Sequence, residues 1–143
     1  MQPETLHRPG NYIAGAFRSS DQPEGELAIH SPADEADLCA VHPYARADLE
    51  AAVAAAREAW PSWRRRSIEE RADYLRRYQA RLRANHAAIT QSIAREVGKP
   101  LWEAKTEVDA MIAKVDLSLG EGRRFTDDVL LSDLPGEIRH RPL

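Results

Sequence analysis

The chain has 143 residues, a net charge of -3, and a composition of 43% hydrophobic and 30% charged residues, which suits one small domain or part of a larger one. A mean hydropathy of -0.56 and the lack of a long uncharged apolar run exclude a transmembrane helix. The acidic balance argues against a basic nucleic-acid binder. Residues 1–8 lack the apolar region of a secretory signal, and the single cysteine cannot form an internal disulfide, so we expect a cytoplasmic protein without membrane or nucleic-acid partners.

The first third of the chain has the pattern of short strands. Residues 1–10 are expected to be a flexible N-terminus. Residues 11–17 read N-Y-I-A-G-A-F, and apolar residues on both sides of an Ala-Gly turn predict a hairpin. Two further apolar runs, Leu27–Ile29 and Leu38–Val41, predict two edge strands.

From Ala47 onward the apolar residues follow the helical period. The first predicted helix carries one apolar face, formed by Leu49, Ala52, Val53, Ala56 and Trp60. Pro61 is predicted to end it, because proline lacks the donor that an interior helical position needs. A capping box at Ser67–Glu70 opens a second helix, whose apolar stripe continues unbroken to Val97.

A third helix follows the second after a short break. Gly98 is suited to a left-handed helix cap, and Pro100 forbids continuation of the second helix. Apolar residues then recur at helical spacing up to Leu119. The segments 129–131 and 137–141 return to strand character around a Pro-Gly turn. The predicted fold class is therefore α+β: three helices with short N-terminal strands and a C-terminal hairpin.

The search for reactive groups finds no clear site. Cys39 has His30 and His42 nearby in sequence, which is compatible with a nucleophile. Its apolar neighbours favour a small buried side chain instead. The five histidines show no metal-binding spacing, and the chain contains neither a Walker loop nor G-x-G-x-x-G. An arginine-rich stretch, Arg64–Arg83, has the charge to face phosphates, but interleaved acidic residues argue for an ordinary solvated surface.

The order of several motifs resembles the N-terminal part of an aldehyde dehydrogenase, from about Asn11 to Leu143. The family's Y-I-N-G-x-W hairpin appears with Ala14 in place of asparagine, and its N-P-x-x-G-E turn is degraded. These two altered motifs are Tyr12–Phe17 and Ser31–Ala36. The other three motifs match, and they are Asp48–Trp60, Trp63–Arg71 and Glu96–Pro100.

Four further segments resemble one subfamily, the N-succinylglutamate 5-semialdehyde dehydrogenases of arginine catabolism. They are Leu101–Ala104, Thr106–Val108, Met111–Val115 and Ile138–Pro142. The resemblance implies that residues 11–143 are the N-terminal part of an aldehyde dehydrogenase domain, truncated before its nucleotide-binding strands and its catalytic domain.

The resemblance also implies what this chain lacks. In the family, a thiolate attacks the aldehyde, hydride passes to NAD or NADP, and water hydrolyses the thioester. The nucleophilic cysteine, the general-base glutamate and the cofactor-binding residues would all follow Leu143. No catalytic or cofactor-binding residue is therefore assigned. NAD or NADP would bind the full-length parent, which would oxidise a small aldehyde, and this chain alone is expected to bind no cofactor and to be inactive.

Four residues and one surface receive roles by resemblance. Met111 and Glu107 are expected at the mouth of the substrate tunnel, although a place in the helix core is the simpler interpretation of Met111. The carbonyl of Ile29 and the carboxylate of Glu96 match a monovalent cation site of some members. The C-terminal hairpin implies homo-oligomer contacts. An alternative function, in which the chain is not part of an enzyme, is a non-catalytic helical module that binds a partner chain.

Overall fold

The computed structural model describes residues 10–125, 129–130 and 137–138 of the chain. Its N-terminal strands form two separate antiparallel hairpins, β1 with β2 and β3 with β4. Their bounds are β1 Asn11–Ile13, β2 Ala16–Arg18, β3 Gly25–Ser31 and β4 Asp34–Tyr44. The β1–β2 hairpin was predicted. β3 and β4 were predicted as two edge strands without a stated pairing, and they extend well beyond the apolar runs that indicated them.

The turn between β1 and β2 has two residues in the left-handed region. Ala14 has φ 52° and Gly15 has φ 84°, the combination that a tight two-residue hairpin requires. Glycine adopts this conformation freely, whereas alanine is strained there by its Cβ atom. The hairpin is therefore formed as predicted, with one unfavourable residue in its turn.

Four α-helices follow, where the sequence predicted three. They are α1 Arg46–Trp63, α2 Ile68–Ala84, α3 His86–Val97 and α4 Leu101–Leu119, the last followed by a 3-10 helix at Glu121–Phe125. The predicted long helix is interrupted at Asn85, whose side-chain amide donates to the Arg81 carbonyl at 2.8 Å. Asparagine competes with the helical backbone in this way, and the apolar stripe alone does not reveal it.

Pro61 lies inside α1 and does not end it, so that prediction was wrong. The helix continues to Trp63, and the Arg64 amide still donates to the Trp60 carbonyl at 2.9 Å. Pro61 is in the last turn, where the loss of one donor is followed by the end of the helix within three residues. The cost of the proline is therefore confined to the terminus.

The predicted helix ends at Ser67 and Gly98 are confirmed. The Ser67 hydroxyl accepts from the Glu70 amide at 3.1 Å, and the Glu70 carboxylate accepts from the Ser67 amide at 2.7 Å. The bond from the Ser67 backbone amide is the main cause that holds the pKa of Glu70 below its usual value, and the Ser67 side chain lowers it further. Gly98 closes α3 with φ 72°.

The core lies between α2, α3 and α4. Ala104 and Val108 of α4 are fully buried, and Leu82 of α2 is buried as well. A buried polar side chain joins two helices, because the Gln79 amide donates to the Ile112 carbonyl of α4 at 2.9 Å. β3 and β4 lie against this layer through contacts of β3 with α3.

α1 is different, because it buries none of its residues and contacts β1. The predicted apolar face is largely in solvent: Leu49 is 65% exposed, Val53 43% and Trp60 39%. The periodicity thus predicted the helix correctly, and its apolar face is not buried by the described residues.

The C-terminal strands pair as predicted, since β5 at Val129–Leu130 and β6 at Glu137–Ile138 form an antiparallel ladder. The turn predicted between them and the expected flexible residues 1–9 lie outside the described residues. Within the described part of the chain, none of the helices combines the length and the apolar character that crossing a bilayer demands.

Candidate functional site at the junction of α3 and α4

The turn between β3 and β4 packs on the junction of α3 and α4. A Cβ atom added to Gly98 would lie 3.2 Å from both the Ala33 amide nitrogen and the Pro32 Cβ. Gly98 is therefore required for two reasons, its positive φ and the close approach of this turn. The junction brings the hairpin and both helices to one place.

An ion pair holds β4 to α3 beside this junction. Arg95 Nε donates to Asp37 Oδ2 at 2.7 Å, its terminal nitrogen contacts Asp37 Oδ1, and the same nitrogen donates to the Leu38 carbonyl at 3.0 Å. The hydrogen bond from Arg95 holds the pKa of Asp37 below its usual value and raises the pKa of Arg95. This bidentate pair is one of the stronger polar contacts that proteins form.

Lys99 forms the second charged cluster of the junction. Its ammonium contacts the Glu107 carboxylate and lies 3.4 Å from Glu103 Oε1, and its side chain is 18% exposed. The bond to Glu107 is the main cause that raises the pKa of Lys99. Lys99 thus stays charged and fixes two acidic side chains along the first turns of α4.

The two residues predicted at a tunnel mouth lie on successive turns of one face of α4. Glu107 is held by Lys99, and Met111 follows one turn later with 37% of its surface exposed. The simpler interpretation, a core position for Met111, is weakened by that exposure. The structure brings these two residues together on one open surface.

The two residues predicted for a monovalent cation lie on neighbouring elements. Ile29 is in β3, opposite Ala40 of β4, and Glu96 is the exposed penultimate residue of α3. β3 and α3 are in contact. In the described residues there is no cluster of three or more histidine, cysteine or acidic side chains of the kind that binds a metal ion.

Cys39 is buried between the hairpin and α3. Its Sγ atom lies 3.7 Å from the Asp37 carbonyl oxygen and 3.8 Å from that of Arg95. Burial raises the pKa of the thiol and outweighs the opposing effect of Arg95. A buried protonated thiol is a poor nucleophile, which favours the structural interpretation of Cys39.

The arginine-rich stretch is partly neutralised by its own acidic neighbours. Arg76 donates to Asp73 at 2.7 Å, and Arg66 lies 3.9 Å from Glu70. The guanidinium groups of Arg66 and Arg77 lie 5.3 and 4.3 Å from the centre of the Tyr74 ring, at cation–π distance. These contacts favour an ordinary ion-paired surface for this stretch.

Several contacts of the junction were not predicted from the sequence. Asp37 and Arg95 are 58 residues apart, and no local pattern relates them. The contacts of Lys99 with Glu103 and Glu107 had no helical signal either, because Lys99 lies before α4, which begins at Leu101. His86 of α3 and Asp109 of α4 likewise form an unpredicted link, at 2.9 Å.

The comparisons with known proteins agree with this geometry. The sequence model of the aldehyde dehydrogenase family matches residues 17–143. An N-succinylglutamate 5-semialdehyde dehydrogenase of Chromobacterium violaceum is 40% identical over 141 residues, which is 96% of this chain and 27% of that protein. The chain therefore spans about a quarter of the length of this curated relative.

Solved structures give the same result for the fold. An aldehyde dehydrogenase of Bartonella henselae superposes with a TM-score of 0.76 at 20% identity, covering 86% of this chain and 26% of that one. A lactaldehyde dehydrogenase of Escherichia coli superposes with a TM-score of 0.73 at 30% identity, covering 87% and 26%. This chain belongs to the aldehyde dehydrogenase family, and its fold is that of an N-terminal portion of such an enzyme.

Proposed function

We propose that this chain is the N-terminal part of an NAD(P)-dependent aldehyde dehydrogenase of the cytoplasm, whose parent activity oxidises succinylglutamate semialdehyde, in arginine catabolism, to the carboxylate. The observation that carries this proposal is the 40% identity over 96% of the chain to a relative of that name. The four subfamily-like segments of the sequence support the same substrate. By itself the chain is proposed to be inactive.

The proposed inactivity follows from the chain's own side chains. Its single cysteine is Cys39. This thiol is buried near two backbone carbonyl oxygens, and the burial raises its pKa, which favours the protonated form. A thiolate attack on an aldehyde needs an accessible and deprotonated sulfur. Cys39 meets neither condition, so the nucleophile of the reaction is assigned to the part of the parent that follows this chain.

The described residues do not fit a dinucleotide. The chain lacks a glycine-rich G-x-G-x-x-G turn, which would allow a pyrophosphate to approach the backbone at a helix N-terminus. Among the described residues with positive φ, Ala14 and Gly15 form a hairpin turn, Gly98 ends a helix, and Gly10 directly precedes β1. NAD or NADP is therefore proposed to bind the full-length parent and not this chain alone.

A chimera tests the proposal. Residues 1–143 would be joined to the part of the Chromobacterium violaceum relative that follows its aligned segment, and NADH or NADPH formation would be followed with succinylglutamate semialdehyde. We expect turnover by the chimera and none by the 143-residue chain. The matched control is the chimera with its family nucleophile, a cysteine of the relative's part, changed to alanine. A folded chimera without activity, or turnover by the chain alone, would contradict the proposal.

The same chimera tests the two proposed sites on this chain. If Glu107 and Met111 line the tunnel mouth, Met111→Trp should raise KM for succinylglutamate semialdehyde while kcat changes little. Lys105→Ala, at an exposed position of the same helix, is the control. If Glu96 helps to hold a monovalent cation beside the Ile29 carbonyl, Glu96→Gln should reduce the stimulation of activity by potassium or sodium chloride.

The alternative, a non-catalytic module that binds a partner chain, is supported by one observation. The apolar face of α1 is exposed along most of its length, and contiguous apolar surface is typical of an interface. A cooperative thermal melt of the monodisperse 143-residue chain would favour a module that folds alone. Soluble aggregate under the same conditions would favour a segment that needs the rest of its parent.

A further inference from the structure

The turn from α3 to α4 fixes the backbone of Lys99. Gly98 precedes it with φ 72°, and Pro100 follows it with φ -59° and ψ 144°, directly before the first residue of α4. The Lys99 amide donates to the Ala94 carbonyl at 3.2 Å, which satisfies one of the free carbonyl groups at the end of α3. The place from which the Lys99 side chain extends is therefore set by the end of one helix and the start of the next.

From this turn the Lys99 ammonium reaches along the first turns of α4. It contacts the Glu107 carboxylate, eight residues further along the chain, and lies 3.4 Å from Glu103 Oε1. Met111 lies one helical turn beyond Glu107, in the direction away from Lys99. The contact with Lys99 therefore places the Glu107 carboxylate towards the start of α4 and away from Met111.

The three charged side chains of this cluster differ in burial. The side chain of Lys99 is 18% exposed, whereas those of Glu103 and Glu107 are 46% and 45% exposed. The bond to Glu107 is the main cause that raises the pKa of Lys99, so the lysine stays charged at neutral pH. One positive charge thus faces two negative charges beside the expected tunnel mouth.

The proposed substrate makes the charge at this place important. Succinylglutamate semialdehyde carries two carboxylates, and both are ionised at neutral pH. An unpaired Glu107 carboxylate beside Met111 would repel such a molecule. The contact with Lys99 offsets that negative charge and holds it on the side of Glu107 that is away from Met111.

We propose that Lys99 is a positioning residue of the tunnel mouth, which neutralises Glu107 and holds its carboxylate away from Met111 so that a dianionic aldehyde can pass. This inference rests on the proposed function, because it concerns the substrate that the parent is proposed to oxidise. Lys99 acts through Glu107 and does not touch the reacting atoms. Its removal should therefore impair binding of the anionic substrate and leave the chemical step unchanged.

Kinetics of the chimera of residues 1–143 with the relative's following part test this role. Lys99→Met should raise KM for succinylglutamate semialdehyde about fivefold with kcat nearly unchanged, since the mouth becomes more negative by one charge. At about 0.5 M sodium chloride the increase should fall below about twofold, compared with the unmodified chimera at the same salt concentration. Lys105→Met makes the same change of charge at an exposed position on the opposite side of α4. This matched control should change KM much less.

The double variant K99M/E107Q distinguishes a neutralising contact from a purely structural lysine. Without the Glu107 carboxylate there is no charge for Lys99 to offset, so KM should return to within about twofold of the unmodified chimera. E107Q alone should leave KM at or below its original value. The proposal is overturned if KM stays raised in the double variant, if the increase persists at high salt, or if K99M lowers kcat alone.

A measurement on the 143-residue chain separates this proposal from the proposed function. The chain has three lysines, Lys99, Lys105 and Lys114, so an NMR titration of the lysine Cε signals can resolve each of them. We expect the pKa of Lys99 to lie above its usual value and Glu107→Gln to lower it. A pKa of Lys99 that ignores this substitution would overturn the contact. An inactive unmodified chimera, combined with a pKa of Lys99 that depends on Glu107, would contradict the proposed function and support the contact itself.

Discussion

The two ends of the described structure use apolar helical faces differently. In the packed region, α2, α3 and α4 bury Leu82, Ala104, Val108 and Val115 among themselves. In the open region, α1 has an equally regular apolar face that remains in solvent. Amphipathic spacing therefore predicts that a helix forms and which of its faces is apolar. It does not predict whether another element of the same chain packs against that face.

The same substitution in both regions gives the largest expected difference. Val108→Ala in α4 should lower the free energy of unfolding by about 2 kcal/mol, because a fully buried side chain leaves a cavity. Val53→Ala in α1 should change it by less than about 0.5 kcal/mol, since the side chain is 43% exposed. Urea unfolding of both variants measures the contrast. Equal losses would mean that the face of α1 is covered in the folded chain.

The turns of the two regions should also differ. Gly98→Ala should destabilise the chain by about 1–2 kcal/mol, because alanine at positive φ is strained and its Cβ would press on Pro32 and Ala33. Gly15→Ala, where a Cβ meets nothing within 4 Å, should cost only the strain, about 1 kcal/mol. Thermal melts of the two variants compare them, and a larger loss at Gly15 would contradict the close packing at Gly98.

Acid should weaken the packed region through Asp37. Its pKa is lowered in the folded chain by the bond from Arg95. Asp37 therefore contributes stability above the usual carboxylate pKa, and this contribution is lost as pH falls towards the lowered folded pKa. Asp37→Asn should lower Tm at pH 7, by less than Gly98→Ala does, and the difference from the parent chain should shrink at acidic pH. A difference independent of pH would indicate that the ion pair contributes nothing. Glu58→Gln, on exposed α1, is the control.

The smallest expected effect lies in the open region. Ala14→Asn should stabilise the β1–β2 hairpin by about 0.5 kcal/mol, because asparagine tolerates the left-handed conformation that alanine adopts there with strain. Ala16→Asn, in the neighbouring strand, should give no gain. The β1–β2 amide protection measured by hydrogen exchange would detect the change, and a loss of protection in Ala14→Asn would rule out a strained turn.

Most of the structural features that were predicted correctly follow from local sequence signals. The capping box at Ser67, the cap at Gly98 and the β1–β2 hairpin follow from short-range chemistry. The interruption at Asn85, whose side-chain amide donates to the Arg81 carbonyl, was missed. Hydrophobic periodicity contains no information about that bond.

The candidate site was less accessible to sequence reasoning. The face of Glu107 and Met111 was expected by resemblance, whereas the contact of Lys99 with Glu107 was not predicted. The link of Asp37 with Arg95 depends on tertiary packing of β4 against α3, which no pattern along the chain encodes. The charges of Asp37 and Arg95 can each be read from the sequence, whereas the contact between them cannot.

The ion pair of Asp37 and Arg95 also affects the rates of folding and unfolding. Closing it brings together two residues that are 58 positions apart in the sequence, whereas the β3–β4 hairpin and the start of α2 can form from neighbouring residues. Contacts with large sequence separation tend to be completed late. The pair is therefore expected to slow unfolding more than it speeds folding, so that it acts mainly on the lifetime of the native state.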